Sequence, residues 1–327
     1  YMVFFLSSLS VGLARLNRLA LDQWGAQSVV LSEYANKNLS ASIIKEEEFG
    51  PHLQGDSVAA MGQMAVVANH EDGKEKINAQ VFGLSWNSFL APKLSEGRSA
   101  DNAYEIIADK RLQQKGVEIG DHLQLNGSER LYQVVGFTED NSFFTQPVIF
   151  MALDDFRELK YGSGQVKNIS ALVIKNDQKI EEAGLSQLSM GELIENIPGY
   201  QAQVLTFSFM IGAMVLITFL VLGIFMYIIT IQKTHLYGIM RAQGIASGKI
   251  IASIFWQIFI LSTLGISLAV LALLGTQLAL PASVPFYSDW RTYAGLIALI
   301  VLMSLAGGLL SIRRVLKIDP ITAIGGE

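Results

Sequence analysis

Three long stretches of this chain carry no charged side chain. Positions 204–232, 250–280 and 292–312 contain no Asp, Glu, Lys or Arg, in runs of 29, 31 and 21 residues. A helix rises about 1.5 Å per residue, so about 20 apolar residues cross roughly 30 Å of hydrocarbon. Each run therefore predicts a transmembrane helix. A fourth apolar stretch, Tyr1 to Ala14, ends at Arg15. It is too short to cross, and it lacks the basic start and small-residue exit of a signal peptide. It reads as the end of a first transmembrane helix truncated at its N-terminus, with residues expected before Tyr1.

Between these runs the pattern changes. "QSVVLS", "MAVVAN", "NAQVFGL", "YQVVGF", "PVIFMAL" and "SALVIKN" are short β-branched or alternating runs bounded by turn residues, which predicts strands. Asn126-Gly127, set between two such runs, predicts a hairpin. Ala100–Gly116 predicts a helix with Ile106, Ile107 and Leu112 on one side and Gly116 as its stop, and "ALDDFRELKYG" predicts another ending at Gly162. The expected fold is a membrane protein: four transmembrane helices, the first truncated, with a large extracellular mixed α/β domain between helices 1 and 2.

Composition and charge sharpen this picture. Charged residues make up 16% of the 327, against about 25% in soluble domains, and the mean hydropathy is +0.37. Residues 33–203 hold 25 acidic and 15 basic side chains, a net of −10. The rest holds 4 and 9, a net of +5, and together these give the chain's −5. An acidic domain on a basic membrane part argues against a nucleic-acid partner. The absence of cysteine excludes disulfides and thiolate chemistry.

Lys and Arg flanking a span mark the cytoplasmic side. Lys233, Arg241 and Lys249 lie between the second and third runs, and Arg313, Arg314 and Lys317 follow the last. The expected organisation in the cell membrane follows. Residues 1–32 are the end of transmembrane helix 1 and its outward extension, and 33–203 the extracellular domain. Then come helix 2 (204–232), a cytoplasmic segment (233–249) and helix 3 (250–280). An extracellular loop (281–291), helix 4 (292–312) and a cytoplasmic tail (313–327) complete the chain. Small-residue pairs that allow helices to approach closely occur at Ser208/Gly212, Gly265/Ala269, Ser304/Gly308 and Gly307/Ser311.

The segment "QKTHLYGIMRAQGIASGKII" has apolar Leu236, Ile239 and Met240 at helical spacing and Gly244 where a helix would stop. A short amphipathic helix there could dock in a groove of a soluble partner. Here the chain resembles the FtsX/MacB-type ABC permeases. Their inner loop carries an acid-hydrophobic-Gly-hydrophobic-hydrophobic-Arg-Ala-hydrophobic-Gly pattern. Gly238, Arg241, Ala242 and Gly244 match it; Leu236 replaces the acid and Gln243 the hydrophobic residue. The tail "RRVLKIDPITAI" resembles the family's closing motif. The resemblance implies a coupling helix of Leu236, Tyr237, Gly238, Ile239, Met240, Arg241, Ala242 and Gly244. It also implies a permease homodimer, two ABC ATPase subunits that carry ATP-Mg, and contact with membrane lipid.

Enzyme chemistry is not expected in the chain itself. The nearest approach to a phosphate loop, Gly244 to Ile250, is one residue short and lacks the hydroxyl. The four histidines, His52, His70, His122 and His235, are scattered with no H-E-x-x-H, so no metal site is expected in the protein alone, and no covalent cofactor. The acid runs at 45–48 and 154–155 read as solvated faces.

With no charge inside the three complete runs, an ion path is disfavoured, and an amphiphile suits their walls. Met2 to Ser42 is similar to the start of the haem-exporter (HrtB-type) permeases of Gram-positive bacteria. That similarity implies haem as a possible substrate, entering laterally between helices 1 and 2 near the outer leaflet. The candidates so placed are Met2, Phe4, Phe5, Glu33, Tyr34, Tyr200, Phe207, Met210 and Met214; Tyr and Met can ligate haem iron. The alternatives are a non-transporting mechanotransmitter that activates a cell-wall hydrolase, and export of antimicrobial peptide or lipoprotein.

Overall fold

Strand and helix runs separate cleanly along the chain in the computed structural model, which describes residues 1–53, 56–70, 76–162, 165–281 and 284–316. The predicted tail beyond Leu316 lies outside the described residues. The chain divides into two compact units, one of Leu13–Gln203 and one of Tyr1–Gly12 with Val204–Glu327.

The first unit is built on β-structure. Its early strands are β1 (Ser28–Ser32), β2 (Val58–His70), β3 (Lys76–Leu84), β4 (Leu94–Gly97) and β5 (Glu105–Asp109). The later ones are β6 (His122–Leu125), β7 (Leu131–Thr138), β8 (Ser142–Phe143), β9 (Gln146–Ala152), β10 (Ala171–Ile174) and β11 (Leu185–Ser189). The sheet thus starts five residues before the compositional boundary at 33. Its order is β11-β1-β10-β2-β3-β9-β5-β7-β4. Pairing is antiparallel except for β3 with β9 and β5 with β7. β6 hydrogen-bonds to both β2 and β7, so β2-β3-β9-β5-β7-β6 closes into a ring. Closure leaves the six ring strands without an unpaired edge, while β11 and β4 stay at the two ends of the strand order.

The helices, in chain order, begin with α1 (Met2–Leu16), α2 (Leu19–Asp22), α3 (Glu46–Phe49), α4 (Lys110–Gln113), α5 (Leu153–Tyr161) and α6 (Met190–Glu195). They continue with α7 (Tyr200–Gln232), α8 (Thr234–Ala242), α9 (Ser247–Ala279) and α10 (Trp290–Leu316). Of these, α7, α9 and residues Trp290–Gly307 of α10 are long and apolar enough to cross a membrane. α1 is a shorter apolar helix.

The predicted helix over Ala100–Gly116 is replaced by β5 followed by the single turn α4. Val81, Ile106, Ala108, Val134, Ile149 and Met151 fill one core. Their neighbours Phe82, Ile107, Val135, Val148 and Phe150 fill the opposite one. A strand buried on both faces needs a continuous apolar run, not an alternating one, and "EIIA" supplies it. Asp109 then caps α4 by accepting the Arg111 amide.

Local turn chemistry behaves as the sequence predicts. Asn126 and Gly127 take left-handed φ of 51° and 70° at the head of the β6–β7 hairpin, where Asn and Gly are the residues that tolerate it. α5 ends at Gly162 in a left-handed C-cap. One expectation is half right: Asp154 is exposed, but Asp155 is buried and accepts the Tyr104 amide at 2.8 Å.

Candidate functional site

The interspan helix α8 presents two contrasting faces. Tyr237 is buried with Met226 of α7 and Ile250, Ile254 and Ile258 of α9, and Met240 and Leu305 pack against that cluster. Gly238 is buried beside it. His235, Leu236, Ala242 and Gln243 are exposed and Ile239 is half-buried. These five positions follow i, i+1, i+4, i+7, i+8, which is one face of a helix. Gly244 closes the helix with φ +84°. The predicted coupling residues therefore split. Tyr237, Gly238 and Met240 turn toward the bundle and Arg241 is half-buried, whereas Leu236, Ile239 and Ala242 lie on the outward face. The anchors Ile250, Ile254 and Ile258 fall in the uncharged run of α9, where composition alone gives no sign of their role.

A second feature lies inside the same unit. α1, α7, α9 and α10 enclose a cavity of about 440 Å³. Met2 and Phe4 line it from α1, Met214, Ile217 and Thr218 from α7, Leu261 and Gly265 from α9, and Ser304 from α10. The walls are almost wholly hydrocarbon, which suits an apolar ligand. Two contacts near its C-terminal half help to hold α1 there. Ser8 Oγ and the Tyr293 hydroxyl are 2.5 Å apart, and the Tyr287 amide donates to the Ser8 carbonyl at 3.2 Å. Gly12 is required at the second contact, because a Cβ there would stand 2.1 Å from the Pro285 carbonyl oxygen.

Of the sequence-predicted binding residues, Met2, Phe4 and Met214 meet at this cavity. Phe5 packs beside it against Phe286. Phe207 is half-buried and Met210 is 43% exposed; neither lines the cavity. Glu33 and Tyr34 lie in the other unit, in the 3-10 turn Glu33–Ala35, and Tyr34 is 90% exposed. Tyr200 packs against that unit's core. The small-residue pairs also resolve differently. Gly307 faces Gly223, where a Cβ would come within 3.2 Å of the Gly223 Cα, so this close approach is between α7 and α10 of one chain. A Cβ at Gly212 or Gly265 would meet open space.

A third feature was not anticipated. Where α1 ends, the amides of Phe144 and Thr145 donate to the carbonyls of Asn17 and Leu16, each at 3.3 Å. Asn17 Nδ2 also donates to Gln203 Oε1 near the start of α7 at 3.0 Å. Phe144 and Thr145 hold φ of 52° and 62°, a strained conformation for an aromatic and a β-branched residue. The strained turn presents its amides to the helix carbonyls that would otherwise lack partners.

Residues 208–320 match the FtsX-like permease C-terminal family. Over 99% of its length and 92% of the relative's, the chain is 27% identical to a Staphylococcus haemolyticus protein provisionally assigned as the hemin transport system permease HrtB. A Staphylococcus epidermidis protein of the same provisional assignment is also 27% identical, with the same coverage. An uncharacterized ABC transporter permease of Mycobacterium tuberculosis is 22% identical over 83% of this chain and 75% of its own. Residues 208–320 are thus similar to FtsX-like permease C-terminal domains, and over nearly its whole length the chain is similar to ABC transporter permeases of the hemin-transport type.

Proposed function

We propose that this permease is the membrane subunit of an ATP-driven exporter that removes haem or another membrane-partitioned amphiphile from the cell. The observation that carries the ATP-driven part is α8: one face is locked into the bundle and the other is left outward with Leu236, Ile239 and Ala242. Such a helix can fill a groove in a separate ABC ATPase and pass closure of that subunit into α7 and α9 through Tyr237. ATP-Mg would sit on the ATPase, with two copies serving a permease homodimer. The Leu13–Gln203 unit would lie outside the cell and Lys233 to Lys249 inside.

The substrate reading rests on the apolar cavity and on the relatives' provisional assignment to hemin transport. Haem has a large apolar face, and the Met2 and Met214 thioethers are soft groups able to approach its iron. Glu33, Tyr34, Tyr200, Phe207 and Met210 remain candidates along its route in.

A mechanotransmitter is the second reading, and the α1 exit favours it. The amides of Phe144 and Thr145 hold the carbonyls of Leu16 and Asn17 within the Leu13–Gln203 unit, an anchorage that motion of α1 would pull on in relaying it to a cell-wall hydrolase.

A haemin titration of the purified permease–ATPase complex separates the two. Export predicts a saturable Soret shift near one haem per dimer, weakened by Met214→Ala. A linear, unsaturable response with haemin-indifferent ATPase activity would remove haem and leave other amphiphiles and the mechanotransmitter.

A further inference from the structure

One turn beyond the apolar part of α1, a cavity of about 480 Å³ opens in the Leu13–Gln203 unit, lined by Arg15, Arg18, Leu19, Asp22, Gln23 and Asp140. Arg15 lies in the last turn of α1, Arg18 is the N-cap of α2 and Asp22 its last residue, and the break between the two helices brings all three to the pocket. Arg18 Nε lies 3.4 Å from Asp22 Oδ2. That contact is poorly aligned: Nε is buried and makes no hydrogen bond. Burial pushes the Asp22 carboxyl up, opposed by the charges of Arg18 and Arg15. Two cationic and two anionic side chains thus share one open pocket, and the Arg18–Asp22 pair does not satisfy itself.

We propose that this pocket binds a phospholipid headgroup bearing both a phosphate and a primary ammonium, of the phosphoethanolamine type. The position fits, because the first charges after an apolar helix lie at headgroup depth. The charges fit as well. An anion alone would meet Asp22 and Asp140, and a cation alone would meet Arg15 and Arg18. A zwitterion places its phosphate oxygens on the guanidinium donors, whose planar fork suits them, and its ammonium on the carboxylates. A primary ammonium carries three N–H donors, whereas the quaternary ammonium of phosphocholine carries none, so the ethanolamine form is preferred. This site requires α1 to lie in the bilayer and does not depend on which molecule is transported.

The test reconstitutes the full permease into vesicles holding equal mole fractions of phosphatidylethanolamine, phosphatidylglycerol and phosphatidylcholine. Lipid retained after mild extraction is then quantified by mass spectrometry. The expected result is about tenfold enrichment of phosphatidylethanolamine, the gain of one or two charge-assisted hydrogen bonds. Asp22→Asn with Asp140→Asn should abolish the preference while phosphate-bearing lipid is still retained, and Arg15→Gln with Arg18→Gln should reduce retention of all three. Asp140→Asn alone guards against misfolding, because its exposed position at φ +55° tolerates Asn, and it should lower the enrichment partway. Equal retention of the three lipids, enrichment of either other lipid, or indifference to the aspartate changes would overturn the proposal. So would haemin displacing phosphatidylethanolamine mole for mole, since the pocket would then belong to the transported amphiphile.

Discussion

Glu105 concentrates more donors than any other carboxylate described for the β-sheet unit. Its side chain is 7% exposed, and it accepts from both Arg98 Nη atoms, from the Asp101 and Asn102 amides and from Asn102 Nδ2. The Arg98 guanidinium, opposed by burial and aided by the Asn102 and backbone donors, holds its carboxyl well below the ordinary 4.5. A carboxylate with a depressed folded pKa stabilises the fold fully above its unfolded value, and that stability is lost as pH falls below it. Glu105→Gln is therefore expected to cost about 2 kcal/mol near neutral pH, and the gap to the parent should begin to narrow as pH drops below about 5 and go on narrowing through 3. Thermal unfolding of the detergent-solubilised permease across that range checks it; a gap independent of pH would refute it. Asp155, pushed up by burial, acts with the opposite sign, so the comparison must be between parent and variant. None of this was legible beforehand. Glu105 sits in a stretch that reads as a helix, and its partner Arg98 lies outside that stretch.

At the scale of elements, α8 and α1 show two ways of seating a helix. α8 is fixed by side chains, so its two faces can be separated by mutation. Ala242→Asp, exposed on the outward face, should leave the unfolding temperature unchanged and abolish co-purification of the ATPase. Unimpaired co-purification would end the coupling assignment. α1 is seated partly by side chains such as Ser8 and partly by the absence of one. Gly12→Ala drives a Cβ against the Pro285 carbonyl, and because a backbone atom cannot rotate away, a cost of about 1–3 kcal/mol is expected, read as a lowered unfolding temperature. An unchanged temperature would mean that α1 shifts freely along the bundle. α8 was legible because an amphipathic period is written in consecutive residues. Gly12 was not, because its partner lies more than 270 positions away. β5 was misread for a related reason: its apolar run is compatible with a helix until strands on both sides claim it.

For the whole molecule, the open question is sidedness. The two units differ in charge by design of solvent: Leu13–Gln203 carries nearly all the acids, and the spans carry none. Because the chain has no cysteine, Glu129→Cys, exposed at the β6–β7 hairpin, creates a single label. It should react with a membrane-impermeant thiol reagent in intact cells. Reaction only after lysis would invert the topology and move α8 to the outside, away from any ATPase.

The uncharged spans, the basic interspan helix with its terminal glycine and the Asn-Gly hairpin can be read from consecutive residues. Each is a local requirement: hydrocarbon demands apolar side chains over a fixed length, and a left-handed turn demands Asn or Gly. The ring closed by β6, the parallel pairing of β3 with β9, the Gly12 contact and the meeting of particular candidates come from long-range packing. Met2, Phe4 and Met214 share a cavity while Glu33, Tyr34 and Tyr200 do not, because a cavity is defined by what distant segments leave unfilled, and no stretch of sequence encodes that alone.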